Sequence, residues 1–144
     1  MIYRKATEKD LDEILVIENE VMPLPWSFCS FHEAAISDHT LFLVAEADDG
    51  IAGYIVMYLM QPEAELPDIV IKESYQGHGI GTELLRLAIE ELKERTFTDI
   101  FLEVRVSNAA AIRVYEKLGF KEIGTRKSFY KNPVEDAICM KLSI

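Results

Sequence analysis

A glycine-rich turn joins an apolar, strand-like run to a strongly helical segment near the middle of this 144-residue chain. The run is Ile69 to Ile71, and the turn reads Tyr75-Gln76-Gly77-His78-Gly79-Ile80-Gly81-Thr82. Glycine has no Cβ, so the backbone can fold tightly and bring successive N–H groups against an anion at the partially positive end of a helix. The turn therefore predicts a strand followed by a helix, with an anionic ligand between them.

The spacing of the glycines distinguishes three kinds of nucleotide site. A dinucleotide fingerprint requires G-x-G-x-x-G, but the third glycine counted from Gly77 falls at Thr82. A Walker loop ends in Gly-Lys-Ser/Thr, and the nearest match, Gly119 to Gly124-Thr125, lacks the lysine. The remaining pattern, Gln76-Gly77-x-Gly79-x-Gly81, resembles the Q/R-x-x-G-x-G/A pyrophosphate loop of the GCN5-related N-acetyltransferase (GNAT) family, which binds acetyl-CoA. A turn with only a structural role is the alternative.

The length suits a single domain, residues 1–144, which would bury about 70% of its unfolded surface. Lys and Arg number 15 against 25 Asp and Glu, a formal net charge of −10. Nucleic-acid binding depends on cationic contacts, so DNA and RNA are disfavoured as partners. A basic partner fits this charge better, although solubility alone would also explain it.

The sequence also favours a cytoplasmic protein. No apolar run approaches the roughly 20 residues that span a bilayer, and the N-terminus carries acidic residues where a signal peptide would be basic and then apolar. Cys29 and Cys139 are too few for a disulfide framework and are not spaced as metal ligands. We expect both thiols to be reduced and structural, with no membrane association.

Apolar periodicity predicts the element order β-α-α-β-β-β-α-β-α-β-β, an α/β fold with a mixed central sheet and about four helices. The predicted strands cover residues 2–6, 41–47, 51–60, 66–72, 98–106, 121–130 and 136–142. The predicted helices follow Thr7, Ser27 or Ser30, Gly79 and Asn108. Pro23 and Pro25 should end the first helix, and Asp48-Asp49-Gly50 should turn a hairpin.

A second motif strengthens the resemblance to GNAT enzymes. Residues 102–120 fit the pattern LEVRxSNxxAIxxYExLGF, which looks like the ribosomal-protein-alanine N-acetyltransferase (RimI) branch of that family. The loop Pro25-Trp26-Ser27 and the closing Tyr130, followed by Glu135-Asp136-Ala137, also resemble this branch. The resemblance covers nearly the whole chain and implies a GNAT acyl-CoA N-acyltransferase fold.

Glu103 is a candidate general base. Strand alternation places Phe101, Glu103 and Arg105 on one face, so Glu103 is a carboxylate within an otherwise apolar strand. Burial would raise its pKa toward that of a competent base. The alternative is an ion pair with Arg105 or another basic side chain.

Asn108 and Tyr115 lie seven residues apart on one predicted helix, so they project from about the same face. The Tyr115 phenol could then contact a ligand that the Asn108 amide binds. Asn108 would also serve as an N-cap whatever its other role. Tyr115 could instead be an ordinary half-buried aromatic residue.

The histidines indicate no metal site. His32-Glu33 begins like H-E-x-x-H, but position 36 is isoleucine, and His39 lies too far along the chain. His78 stands in the glycine loop where the family often has arginine, so its cationic contact would be weaker at neutral pH. A Ser-His-Asp hydrolase is also disfavoured, because the chain has no G-x-S-x-G elbow.

The resemblance implies where acetyl-CoA binds, namely between the strand that ends near Ile71 and the strand that carries Glu103. It implies acceptor contacts at Trp26 and Tyr130, with Glu103 as base and Tyr115 as acid in a direct acyl transfer. The Ile71 N–H is the candidate oxyanion donor. The implied acetyl-CoA contacts are Ile69, Val70, Ile71, Gln76, Gly77, His78, Gly79, Ile80, Gly81, Thr82 and Asn108.

The RimI branch implies an acceptor, the N-terminal alanine of ribosomal protein S18. Another protein N-terminus or a small-molecule amine is the main alternative, and a CoA-sensing domain without strong catalysis is a further one. Pro67-Asp68 and Phe129 depart from the expected pattern, which bears on acceptor choice more than on CoA binding. The sequence does not predict an oligomeric state.

Overall fold

Seven strands and four α-helices follow one another in the predicted order in the computed structural model, which describes all 144 residues. The helices are α1 (Leu11–Val21), α2 (Phe28–Ile36), α3 (Ile80–Glu94) and α4 (Ala109–Lys117). The strands are β1 (Ile2–Lys5), β2 (Thr40–Ala47), β3 (Gly50–Met60), β4 (Glu63–Ile71), β5 (Asp99–Arg105), β6 (Lys121–Tyr130) and β7 (Glu135–Ser143). The predicted α/β class with a mixed sheet and about four helices is confirmed.

The strands form one sheet in the order β1-β2-β3-β4-β5-β7-β6. Every neighbouring pair is antiparallel except β4 and β5, which run parallel. These two strands pair only where Glu63–Glu65 lies beside Asp99–Phe101. Beyond Glu65 the β5-side edge of β4 has no ladder partner, so the two strands diverge and leave an opening in the centre of the sheet.

A hydrophobic core lies on each face of the sheet. The larger core packs α3 and α4 against one face and includes Leu84, Leu92 and Tyr115. The smaller core packs α1 and α2 against the other face and includes Ile14 and Phe31. The opening between β4 and β5 therefore connects an α3/α4 side with an α1/α2 side.

Local sequence signals determine where α1 ends and where α2 begins. Helix α1 ends at Val21, just before Pro23, which cannot continue a helix. Helix α2 begins after Ser27, whose Oγ accepts a hydrogen bond from the Ser30 N–H at 3.2 Å. The loop between these helices carries Trp26 to the edge of the smaller core. None of the four helices has the length and apolarity needed to cross a membrane.

Candidate active site

The glycine loop follows the carboxyl end of β4 and leads into α3. Gly77 and Gly79 have φ of +80° and +79°, a left-handed conformation that favours glycine. Gly79 is the N-cap of α3, and no side chain caps this helix. The N–H groups of the first turn, from Ile80 to Thr82, therefore remain available to an anion.

Two side chains of this loop bond to its own backbone. Gln76 Nε2 donates to the Ile71 carbonyl oxygen at 3.0 Å, which ties the loop to the end of β4. His78 Nδ1 lies 3.1 Å from the Tyr75 carbonyl oxygen, and its ring is exposed. Of the β4 residues expected to contact acetyl-CoA, Val70 is buried, whereas Ile69 and Ile71 are half-buried.

Glu103 faces the α1/α2 side of the sheet and is solvated. Leu102 and Val104, its neighbours on β5, point into the larger core, so the predicted alternation holds. The Glu103 side chain is 36% exposed, and its Oε1 lies 3.6 Å from Arg126 Nε. Its ion-pair partner is therefore Arg126. Arg105, the partner named first from the sequence, pairs with Glu135 instead. The burial considered for Glu103 does not occur in this structure.

Tyr115 is more buried than the half-buried aromatic residue that was the alternative. It is 7% exposed and packs on Phe120, with 5.7 Å between ring centres. Burial is the main cause that raises the pKa of its phenol, followed by the nearby Tyr130 and Asp68. The phenol therefore keeps its proton at neutral pH, as a general acid must.

Asn108 has the capping role that its position allowed. Its Oδ1 accepts a hydrogen bond from the Ala111 N–H at 3.2 Å, so it is the N-cap of α4. This helix carries Tyr115 two turns later, near enough to Tyr130 and Asp68 for both to raise the pKa of its phenol. The cap thereby fixes where the helix begins and where the phenol lies.

Tyr130 ends β6, and the turn that follows it touches the α1–α2 loop, which carries Trp26. Asn132 Nδ2 in the β6–β7 turn donates to the Pro23 carbonyl oxygen in the α1–α2 loop at 3.3 Å. Burial and then the charge of Glu103 raise the pKa of Tyr130 to about 12. Trp26 stacks on Tyr58, with 6.0 Å between ring centres. The structure thus collects these aromatic residues on the α1/α2 side of the opening.

Two acidic residues of this region, Glu18 and Asp68, are buried and have no function predicted from the sequence. Glu18 is 0% exposed and accepts hydrogen bonds from the Tyr54 hydroxyl at 2.8 Å and the Trp26 N–H at 2.9 Å. Asp68 is 3% exposed. The signal for Glu18 was a charged residue on the apolar face of α1, and the signal for Asp68 was a polar residue beside proline in a central strand.

Comparison with known proteins places this arrangement among acetyltransferases. The model of the acetyltransferase (GNAT) family matches residues 11–120. The ribosomal protein bS18-alanine N-acetyltransferase of Salmonella typhimurium is 38% identical over 94% of this chain and 92% of its own length. An N-alpha-acetyltransferase of Sulfurisphaera tokodaii is 33% identical over 95% of this chain and 89% of its own.

A solved structure agrees with these sequence matches. The crystal structure of the ribosomal-protein-S18-alanine N-acetyltransferase from Escherichia coli superposes with a TM-score of 0.92 at 34% identity. The match covers 99% of this chain and 93% of that one. The fold is therefore the acyltransferase fold that the glycine loop and the second motif predicted.

Proposed function

The chain belongs to the acetyltransferase (GNAT) family and is an N-acetyltransferase, and from that premise we propose that it acetylates the N-terminal alanine of ribosomal protein S18 with acetyl-CoA. The observation that carries the acceptor is similarity along more than nine tenths of the chain to enzymes named for that substrate. A ribosomal acceptor implies that the enzyme works in the cytoplasm.

The residues around the opening fit acetyl-CoA. The α3 N-terminus offers N–H groups without a capping side chain, which suits a pyrophosphate. The β5-side edge of β4 from Leu66 to Ile71 has no ladder partner, which suits an amide-bearing arm that adds like a strand. The backbone of Ile69, Val70 and Ile71 would hold that arm, and the loop from Gln76 to Thr82 would hold the phosphates.

The side chains at the opening then divide the proton transfers between them. The neutral amine attacks the thioester carbonyl carbon, with the Ile71 N–H donating to the oxyanion. Glu103, directly or through water, takes the proton that the amine nitrogen loses. The carbon–sulfur bond breaks, and Tyr115 gives its proton to the departing thiolate. Trp26 and Tyr130 would form the walls against which the acceptor chain lies.

The experiment that tests this function offers the pure protein three amines. These are a peptide that copies the S18 N-terminus, the same peptide with a blocked N-terminus, and spermidine. CoA release and peptide mass are followed together with acetyl-CoA present. We expect acetylation of the free peptide only, with one acetyl group at the α-amine.

The other outcomes identify the rival functions. Turnover on spermidine alone would replace the acceptor by a small amine and leave the fold and the acetyl-CoA site unchanged. Equal rates on unrelated N-terminal peptides would indicate a broad protein N-acetyltransferase. Binding of CoA without turnover on any amine would contradict the proposed function and favour a CoA-sensing domain.

A further inference from the structure

Asp68 is a buried carboxyl group for which the proposed mechanism has no use. It lies on β4 immediately before the three residues assigned to the acetyl-CoA arm. Only 3% of the residue is exposed, and neither of its side-chain oxygens receives a hydrogen bond from an N–H or hydroxyl group of the protein. Buried polar groups in folded proteins are normally satisfied, so an unsatisfied carboxyl beside a reaction site points to a missing partner.

A β-bulge directs Asp68 to the acceptor side of the sheet. Opposite Leu66 and Pro67 of β4, strand β3 has a single residue, Met57. Leu66 belongs to the larger core, whereas Asp68 pairs with Val56 of the smaller core. Without the bulge, Leu66 and Asp68, which are two residues apart, would lie on the same face of the sheet. The Asp68 carboxyl would then enter the larger core. Pro67 fits this bulge because no ladder hydrogen bond is needed there.

The ionisable groups that interact electrostatically with Asp68 supply no positive charge. They are Glu18 from α1, Tyr54 and Tyr58 from β3, and Tyr115 from α4. Neither Asp68 nor Glu18 takes part in an ion pair. Glu18 is a neighbouring buried carboxyl, and two buried carboxyls side by side do not both ionise at neutral pH, so the pair keeps one proton. Burial and the adjacent Glu18 raise the pKa of Asp68 to about 9, so Asp68 carries that proton at neutral pH.

This arrangement leaves one oxygen of Asp68 free. The protonated oxygen has a hydrogen to donate toward Glu18, which already accepts bonds from Tyr54 and Trp26, and the protein supplies no hydrogen bond to the other oxygen. The carbonyl oxygen can only accept a hydrogen bond, and Asp68 is close enough to Tyr115, the candidate acid, to raise the pKa of its phenol. The acceptor amine is the component of the reaction that carries N–H donors into this region.

We propose that Asp68, held in place by Glu18, receives the acceptor's amino group by accepting a hydrogen bond from its N–H at the free side-chain oxygen. This inference rests on the proposed N-acetyltransferase reaction but needs only a primary amine, whichever acceptor carries it. Asp68 on the β4 wall and Glu103 on the β5 wall then face the amine from opposite sides of the opening.

Protonation of Asp68 suits this role. A full carboxylate would stabilise the ammonium form and so oppose deprotonation of the nucleophile. A neutral carboxyl orients the neutral amine without that effect, because its oxygen accepts one N–H and leaves the nitrogen lone pair free to attack.

The experiment compares the full-length Asp68→Leu and Asp68→Asn variants with the wild type. The acceptor is whichever of the three amines tested under the proposed function the wild type acetylates fastest. Loss of one hydrogen bond in Asp68→Leu should raise the acceptor KM about tenfold, with the acetyl-CoA Kd within about twofold. Asp68→Leu also leaves the buried Glu18 carboxylate without this donor, so its Tm should not exceed the wild-type value and is measured beside both constants. Asp68→Asn keeps the accepting oxygen, so its KM should stay within about threefold of the wild-type value.

The pH profile provides a readout that a purely structural role would not change. In the wild-type protein, kcat/KM should fall above pH of about 9 as Asp68 ionises and is repelled by Glu18. That fall should be absent in Asp68→Asn, whose side chain does not titrate. Glu63→Leu, which removes an exposed carboxylate from the same strand, is the matched control and should match the wild type.

Four results would overturn the proposal. An unchanged acceptor KM in Asp68→Leu means that the amine does not need this oxygen. A parallel rise of KM and acetyl-CoA Kd with a lower Tm means general disruption. If Asp68→Leu does not fold, the pH profile of Asp68→Asn decides. The same decrease of kcat/KM at high pH in Asp68→Asn and in the wild type would contradict the proposal. Absence of turnover on every amine removes both this inference and the proposed function, whereas turnover on spermidine alone removes only the S18 acceptor.

Discussion

Arg105 stacks on Tyr130, with 4.6 Å between the guanidinium carbon and the centre of the ring. The same guanidinium holds the β6–β7 turn. Its Nη1 donates to the Pro133 carbonyl oxygen at 3.0 Å and to Glu135 Oε1 at 3.1 Å, and its Nη2 donates to the Lys131 carbonyl oxygen at 2.8 Å. One side chain of β5 therefore fixes both an aromatic wall of the candidate acceptor site and the turn behind it.

Arg105→Lys should weaken acceptor binding selectively. Lysine keeps the charge but cannot make several directed hydrogen bonds and a stacked contact at once. We expect the acceptor KM to rise about tenfold, since one or two charge-assisted hydrogen bonds are lost, while the acetyl-CoA Kd stays unchanged. Steady-state kinetics with each substrate varied in turn measure the two effects. Arg95→Lys, at an exposed residue after α3 whose guanidinium lies over the Phe97 ring, is the control, and an equal effect there would contradict this reasoning.

Tyr115→Phe should lose turnover and keep the fold. Phenylalanine preserves the packing on Phe120 but has no proton to give to the thiolate. General acid catalysis contributes about a hundredfold or more, so kcat should fall by that factor with little change in acetyl-CoA Kd. Tyr3→Phe, on the far strand β1, should behave as the wild type. Full activity of Tyr115→Phe would exclude Tyr115 as the acid.

Glu103→Gln tests whether an exposed carboxylate acts as the base. The side chain keeps its size and loses its ability to accept a proton. We expect kcat with the amine acceptor to fall at least about a hundredfold, most strongly below the pKa of the acceptor amine, where deprotonation is needed. The kcat is measured across pH, with Glu122→Gln on β6 as the control. A uniform and small loss at every pH would assign the proton to solvent instead.

The sequence predicted the element order because each helix and most strands carry their own periodicity and turn residues. It missed the beginning of β4. The prediction started this strand at Leu66, but Glu63, Ala64 and Glu65 already belong to it and make its only ladder with β5. Glutamate and alanine have low strand propensity, and partners distant in sequence decide such a segment. The base of the opening was therefore not visible in the chain alone.

The candidate site was predictable where residues act through local backbone geometry. The N-cap role of Asn108 and the left-handed glycines follow from motifs within a few residues. The solvation of Glu103 and the Glu18–Asp68 pair depend on which elements pack together. A helix residue and a strand residue 50 positions apart become neighbours only after the sheet forms, so no local pattern reveals their pairing.

Gly79→Ala should weaken acetyl-CoA binding and stability together. The φ of +79° at Gly79 costs a residue with a Cβ about 1–2 kcal/mol, and relief of that strain would move the first N–H groups of α3. We expect a lower Tm and an acetyl-CoA Kd about tenfold higher by calorimetry. Gly124→Ala is the matched control, because a Cβ there meets nothing within 4 Å and φ is not in the left-handed region. Equal effects of the two substitutions would contradict the assigned role of the loop.

The buried pair should also make stability depend on pH. The pKa of Asp68 rises from an ordinary value of 3.8 to about 9 in the folded protein, because of burial and the neighbouring Glu18. Between these values the folded chain keeps a proton that the unfolded chain has lost. The free energy of unfolding therefore decreases as pH rises through this window, by at most about 1.4 kcal/mol per pH unit.

Asp68→Asn removes this dependence, so its stability relative to the wild type should increase steadily from pH 5 to pH of about 9. Urea unfolding of both proteins at several pH values measures the difference. Asp12→Asn, at an exposed carboxylate of α1, should show a difference that does not grow in this way. A constant gap between Asp68→Asn and the wild type would mean that Asp68 is ionised in the folded protein, which would remove the shared proton from which its contact with the amine is inferred.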